Sequence, residues 1–174
     1  LKKPLSVYAT LFKSTLFSGG NAGRGGHKMS MDAVRAIVDT QDLIAQLFNI
    51  KKAENIVFTQ NATYALNTAI LGTMSNGGHI VVTEMDHNSV LRPAYLLGNY
   101  TVVKADKSGY VHAEDVEKAV RKDTKLIVCT HASNVWGIKL PIAQIGRLAQ
   151  EKGIDLLLYK FCSGVNLVNT IQVK

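Results

Sequence analysis

The chain has 174 residues, 47% of them apolar and 19% charged, enough for one globular domain with its own core. Its net charge of +7 comes from scattered Lys and Arg rather than a basic cluster interleaved with aromatics, which argues against a nucleic-acid interface and for a surface biased towards small anions. No apolar run reaches the roughly 18 residues of a membrane helix. The opening segment lacks a secretory h-region, and Cys129 and Cys162 have neither CxxC nor metal spacing, so a reducing cytoplasm is the expected compartment.

Residues 5–16 are predicted as a short helix with Leu5, Tyr8, Leu11 and Phe12 on one face. A Gly-rich loop, "SGGNAGRGGHKMS", follows. Helical spacing then resumes through Met31, Val34, Ile37, Val38, Ile44, Ala45 and Phe48, with Ser30 as the expected N-cap. From there strands and helices alternate. Strands are predicted at 55–59 (NIVFT), 79–84 (HIVVTE), 100–105 (YTVVKA), 125–130 (KLIVCT) and 154–158 (IDLLL). Helices are predicted at 62–74, from just after His87 towards Leu97, at 113–121, and at 141–152 with Pro at its favoured first position. Continuous apolar strands alternating with helices imply an α/β fold, a mostly parallel sheet with helices on both faces. Ligands of such sheets sit at the carboxyl ends of the strands.

Those ends hold the candidate residues. In "FTQNATYALNTAI", Asn61 can cap a helix whose first turn, at Ala62 and Thr63, offers free N–H groups to a phosphate. In "TEMDHNSVLRP", His87 stands between a strand and a helix, where an imidazole can stack on a flat ligand or move a proton. Metal binding is disfavoured, since His79 and His87 share no helix face and no Cys lies near either. In "CTHASNVWGIKLP", Asn134 can donate a hydrogen bond to a ligand oxygen, although a turn Asn before Gly137 fits equally. The loop "GGNAGRGG" does not follow a strand and is no dinucleotide fingerprint.

Four stretches, "NAGRGGHKMSMDAVR", "IVFTQNATYALNTAI", "MDHNSVLRP" and "THASNVWGIKLPIAQIGRLAQEKGI", together resemble the class V aminotransferases. Within them the match is to the cysteine-desulfurase-like enzymes that use pyridoxal phosphate. The resemblance covers about residues 18 to 158. It implies a truncated fold-type I large domain: an N-terminal segment and Gly-rich loop at 1–29, a partial cofactor-binding domain at 30–158, and an atypical tail at 159–174. It further implies that Ala62 and Thr63 cradle the phosphate, His87 stacks on the pyridine ring and Asn134 lies near the phenolic oxygen. Arg24 and His27 match a loop at the active-site mouth. An amino-acid substrate and a homodimer are implied as well, with no nucleic acid or membrane partner.

The strand 154–158 leads into "YKFCSG". There the family has an Asp that pairs with the pyridine nitrogen and, three residues on, a Gln. Tyr159 and Cys162 take those positions. A tyrosine, with a reference pKa of about 10, is neutral at pH 7 and brings no anion. The family's Schiff-base Lys stretch, its mobile Cys loop and its second domain have no counterpart here, and Lys160 and Cys162 do not match their positions. A catalytically silent partial large domain is therefore expected. A shifted frame, a truncation and a misassigned tail all remain open as origins of the break. The rivals are a non-catalytic dimerisation domain of the same fold, another class V activity such as transamination, and a nucleotide-binding doubly wound domain.

Overall fold

A computed structural model describes residues 3–17, 19–23, 25–133, 135–162 and 165–171, with side chains described only up to residue 160. The chain divides into two compact units, Leu1–Phe58 and Thr59–Lys174.

In the first unit, helix α1 (Leu5–Phe17) has no buried residue, and α2 (Lys28–Phe48) buries only Ser30 and Ala45. Both helices were legible from their apolar spacing. The cap was not: the N-cap of α2 is His27, whose Nδ1 accepts the Ser30 amide at 3.3 Å, rather than Ser30 itself. The Ser30 hydroxyl is committed elsewhere, donating to the Asn21 carbonyl at 2.7 Å. That contact folds the Gly-rich loop back on the helix start. A Cβ at Gly20 would lie 2.5 Å from the Met29 carbonyl carbon and oxygen, so the approach demands glycine. Asn49, at φ 54°, ends α2 by donating its amide to the Ala45 and Gln46 carbonyls. The strand expected at 55–59 is absent. A 3-10 turn spans Ala53–Asn55, Ile56 after it is extended, and residues 56–59 join no ladder among the described residues, with Val57 79% exposed. Apolar β-branched composition suits a strand, but only a neighbour's N–H and C=O groups make one.

The second unit is the sheet. Strands β1 (His79–Thr83), β2 (Tyr100–Val103), β3 (Thr124–Thr130) and β4 (Asp155–Cys162) are parallel, and β5 (Val165–Ile171) runs antiparallel to β4, in the order β2-β1-β3-β4-β5. The side-chain alternation of a pleated strand sends successive residues to opposite faces. One face gathers Val81, Ile127, Cys129 and Leu156 beneath α5 (Ala113–Ala119) and α6 (Ile142–Lys152). The other gathers Ile80, Val82, Leu126, Val128, Leu157 and Tyr159 beneath α3 (Ala62–Thr73) and α4 (Asn88–Leu97). Both faces are covered, as the continuous apolar strands predicted. Pro141 stands one position earlier than expected, at the N-cap of α6. From β1 the chain passes to β2 on one side, then crosses back to β3 on the other. The strand order therefore reverses between β1 and β3, and in open α/β sheets the crevice above such a reversal is where ligands bind.

Candidate active site

Asp86 lies at this reversal, just past β1, and is only 6% exposed. Its Oδ2 accepts the Thr83 amide at 2.7 Å and the Thr83 hydroxyl at 2.9 Å. Its Oδ1 accepts the Thr130 amide at 2.9 Å and the Tyr159 phenol at 2.9 Å. One carboxyl group thus ties together the ends of β1 and β3 and the middle of β4. Burial raises its pKa to about 6, against the pull of the hydrogen bonds from the Thr83 amide, the Tyr159 phenol and their neighbours. Tyr159 is 2% exposed. Burial, and then the charge of Asp86, push its phenol well above the usual tyrosine range, so it keeps its proton.

The phenol oxygen also accepts the backbone N–H of His87 at 2.8 Å. His87 is the N-cap of α4: its Nδ1 accepts the Ser89 amide at 3.1 Å and faces the Ser89 hydroxyl at 2.8 Å. An Nδ1 that accepts an amide hydrogen leaves the ring proton on Nε2. Beside it opens a hollow of about 210 Å³, lined by residues 84–88 after β1 and by Ser133, Val135 and Trp136 after β3. Ser133 shapes the far wall, its hydroxyl oxygen accepting the Trp136 amide at 3.3 Å.

A second hollow, of about 570 Å³, lies at the start of α3 and is lined by Asn61, Thr63, Tyr64 and Asn67. Asn61 caps this helix as expected, its Oδ1 accepting the Tyr64 amide at 2.8 Å. Ala62 is small and buried, and the amides of this first turn have no intrahelical acceptor by position. Asn67 links the two turns: its Nδ2 donates to the Thr63 carbonyl at 2.8 Å and to the Ser89 carbonyl at 3.3 Å. The starts of α3 and α4, carrying Ala62, Thr63 and His87, are thereby held side by side.

Of the other sequence candidates, Arg24 and Asn134 lie outside the described residues. The His27 imidazole caps α2 in the first unit. Lys160 is exposed, and the Cys162 side chain lies outside the described residues. Cys129 is fully buried and its thiol is pushed well up by burial, which makes it inert. No group of three or more His, Cys, Asp or Glu suited to a metal occurs among the described residues, and no helix there is long and apolar enough to cross a membrane. Sequence reasoning missed Asp86, although an acid between an apolar strand end and a candidate histidine was a signal for it. It also missed Asn67, Thr83 and Thr130.

The family model described as aminotransferase class-V matches residues 2–160. The chain belongs to the class-V aminotransferase family. Among its class-V relatives, the cysteine desulfurase IscS of Dictyoglomus turgidum is 33% identical over 136 residues, which is 74% of this chain and 34% of that protein. A probable cysteine desulfurase of Methanothermobacter thermautotrophicus is 32% identical over 155 residues, 86% of this chain and 38% of its own length. The chain thus spans little more than a third of these class-V relatives. Among solved structures, the apo cysteine desulfurase of Thermococcus onnurineus NA1 superposes with a TM-score of 0.82 at 27% identity, over 91% of this chain and 41% of that one. A structure of SspA in complex with cysteine shares the fold, with a TM-score of 0.85 at 23% identity, covering 98% of this chain and 58% of that one.

Proposed function

We propose that this chain is part of the large domain of a pyridoxal-phosphate-dependent, cysteine-desulfurase-like enzyme. The whole protein would take sulfur from L-cysteine and leave L-alanine. The observation that carries this is the placement of His87 and the α3 start on adjoining turns at the sheet's reversal point, in a chain of this family.

The residues present meet two needs of that cofactor and fail a third. The first turn of α3, at Ala62 and Thr63, suits the phosphate: the helix dipole favours an anion there, and a small buried Ala62 leaves room. The His87 imidazole on the wall of the smaller hollow suits stacking on the ring. Asn134 is assigned the ring's phenolic oxygen, and Arg24 and His27 the mouth of the site. At Tyr159 in β4, however, the group offered is a protonated phenol already donating to Asp86, not an anion for the ring nitrogen. When bound, pyridoxal phosphate supplies an electron sink for a carbanion. This chain's own part is to grip and orient it, and the chain alone is inactive. The domain limits stay as residues 1–29, 30–158 and 159–174. The whole enzyme is a cytoplasmic homodimer.

Borohydride reduction after incubation with pyridoxal phosphate, followed by intact-mass measurement, tests the assignment. Reversible uptake without a stoichiometric lysine adduct is the expected result. A single defined lysine adduct would contradict the claim that the Schiff-base residue lies elsewhere. No uptake at all would contradict the cofactor assignment and favour an interaction domain.

A further inference from the structure

The contact between Tyr159 and the two residues Asp86 and His87 is unusual in its economy. A single phenol oxygen donates to the Asp86 carboxylate at 2.9 Å and accepts the backbone N–H of the next residue, His87, at 2.8 Å. Asp86 is itself anchored to the last residues of β1 and β3 through the Thr83 amide, the Thr83 hydroxyl and the Thr130 amide. The Asp86 amide in turn donates to the Thr83 carbonyl at 3.1 Å. The turn that carries His87 is thus pinned from below by three strands, while the imidazole is pinned from its own helix by Ser89. A backbone hydrogen bond fixes where a residue's Cα lies, and a side-chain cap fixes how its ring is turned. His87 has both.

We propose that Asp86 and Tyr159 are positioning residues that together set the pose of the His87 imidazole on the wall of the hollow, so that the hollow's grip on a flat aromatic anion passes through a carboxylate and a phenol buried beneath it. The ligand part rests on the cofactor assignment above; the positioning part does not. Removing the phenol oxygen leaves the His87 amide without that acceptor and the Asp86 Oδ1 without one of its two donors. Buried polar groups do not stay in that condition, so the turn shifts to find new partners. The titratable groups that face Asp86 are Tyr159 from β4 and, across the opposite face, the Cys129 thiol.

Two readouts on the full chain separate the two parts. The first is the ¹⁵N and ¹H spectrum of the His87 ring at one fixed pH above neutrality, without ligand. In the wild-type chain the ring is expected as the Nε2–H tautomer that the Ser89 amide selects. In Tyr159→Phe the ring signals move, because the His87 amide loses its phenol acceptor. In Asp86→Asn they move as well, because the contacts that tie the turn to Thr130 and Tyr159 are altered. Val116→Ala, a core truncation in the cluster on the other face of the sheet, serves as a folding control and leaves the signals in place. The second readout is equilibrium dialysis of pyridoxal phosphate, where Tyr159→Phe is expected to bind about five- to tenfold more weakly, the cost of one buried hydrogen bond expressed as affinity. His87 signals unmoved in Tyr159→Phe would overturn the positioning claim, whether or not the cofactor binds. Signals that move while even the wild-type chain takes up no pyridoxal phosphate would uphold the positioning claim and overturn the cofactor assignment instead.

Discussion

Asp86 carries a penalty and a purpose together. Its carboxyl pKa stands near 6 in the fold against an ordinary 3.8. The folded state therefore holds the proton more tightly than the unfolded chain. The stability this gives is fully present below pH 4 and is lost as pH rises to about 6. The full swing is on the order of 3 kcal/mol for a shift of this size. His79 works in the other direction. It is buried at the amino end of β1, with Nδ1 2.8 Å from the Thr124 hydroxyl and Nε2 2.9 Å from the Thr101 hydroxyl. Burial, and then Arg121, lower its pKa, so its contribution is present above pH 6.5 and is lost as pH falls. Comparing the wild-type chain with Asp86→Asn by denaturant unfolding cancels the His79 part. The Asn variant is expected to gain on the wild type by about 3 kcal/mol between pH 4 and pH 7; a difference that stays flat with pH would contradict the assignment. Such a residue is hard to read from a sequence. His87 drew notice because it stands between a strand and a helix. The role of Asp86 exists only once Thr83, Thr130 and Tyr159, from three separate strands, converge on it. Tyr159 was legible as a departure from an expected anion, but not as the donor to Asp86.

At the scale of elements, four of the five predicted strands and all six helices are present, because apolar period and cap chemistry were both written locally. Asn61 and the Gly98 and Gly153 ends of α4 and α6 are examples. The failures are non-local. Ser30 and His27 are both chemically able to cap α2, and what decides between them is the distant Asn21 carbonyl that engages the Ser30 hydroxyl. Segment 55–59 has the composition of a strand and no described neighbour to pair with. The tail joined the sheet where no strand was predicted, β5 pairing antiparallel with β4 from Leu156↔Ile171 to Cys162↔Val165. Two substitutions test these local devices by thermal or denaturant unfolding. Gly20→Ala sets a methyl against the backbone of Met29 and is expected to cost about 1–3 kcal/mol. Asn61→Ala removes the α3 cap and is expected to cost about 1 kcal/mol. Neutral behaviour of Gly20→Ala would contradict the close packing of the Gly-rich loop on α2.

For the molecule as a whole, the two units differ in how well they cover themselves. The sheet unit has an apolar cluster on each face. The first unit leaves Leu5, Leu11, Phe12, Phe17, Leu43 and Leu47 all more than 60% exposed. Exposed apolar area on this scale drives association. Sedimentation velocity is therefore expected to show concentration-dependent self-association, and a monodisperse monomer at high concentration would contradict this. The central proposal, though, concerns the other unit: the α3 start and the turn after β1 would together hold a flat, phosphorylated ring. Trp136, the only tryptophan of the chain, lines the same hollow as His87 and reports directly on it. Titrating pyridoxal phosphate into the full chain while following Trp136 fluorescence is the decisive measurement. Saturable quenching that inorganic phosphate reverses and His87→Ala weakens is the predicted result; fluorescence that falls only linearly, alike in both chains, would contradict it.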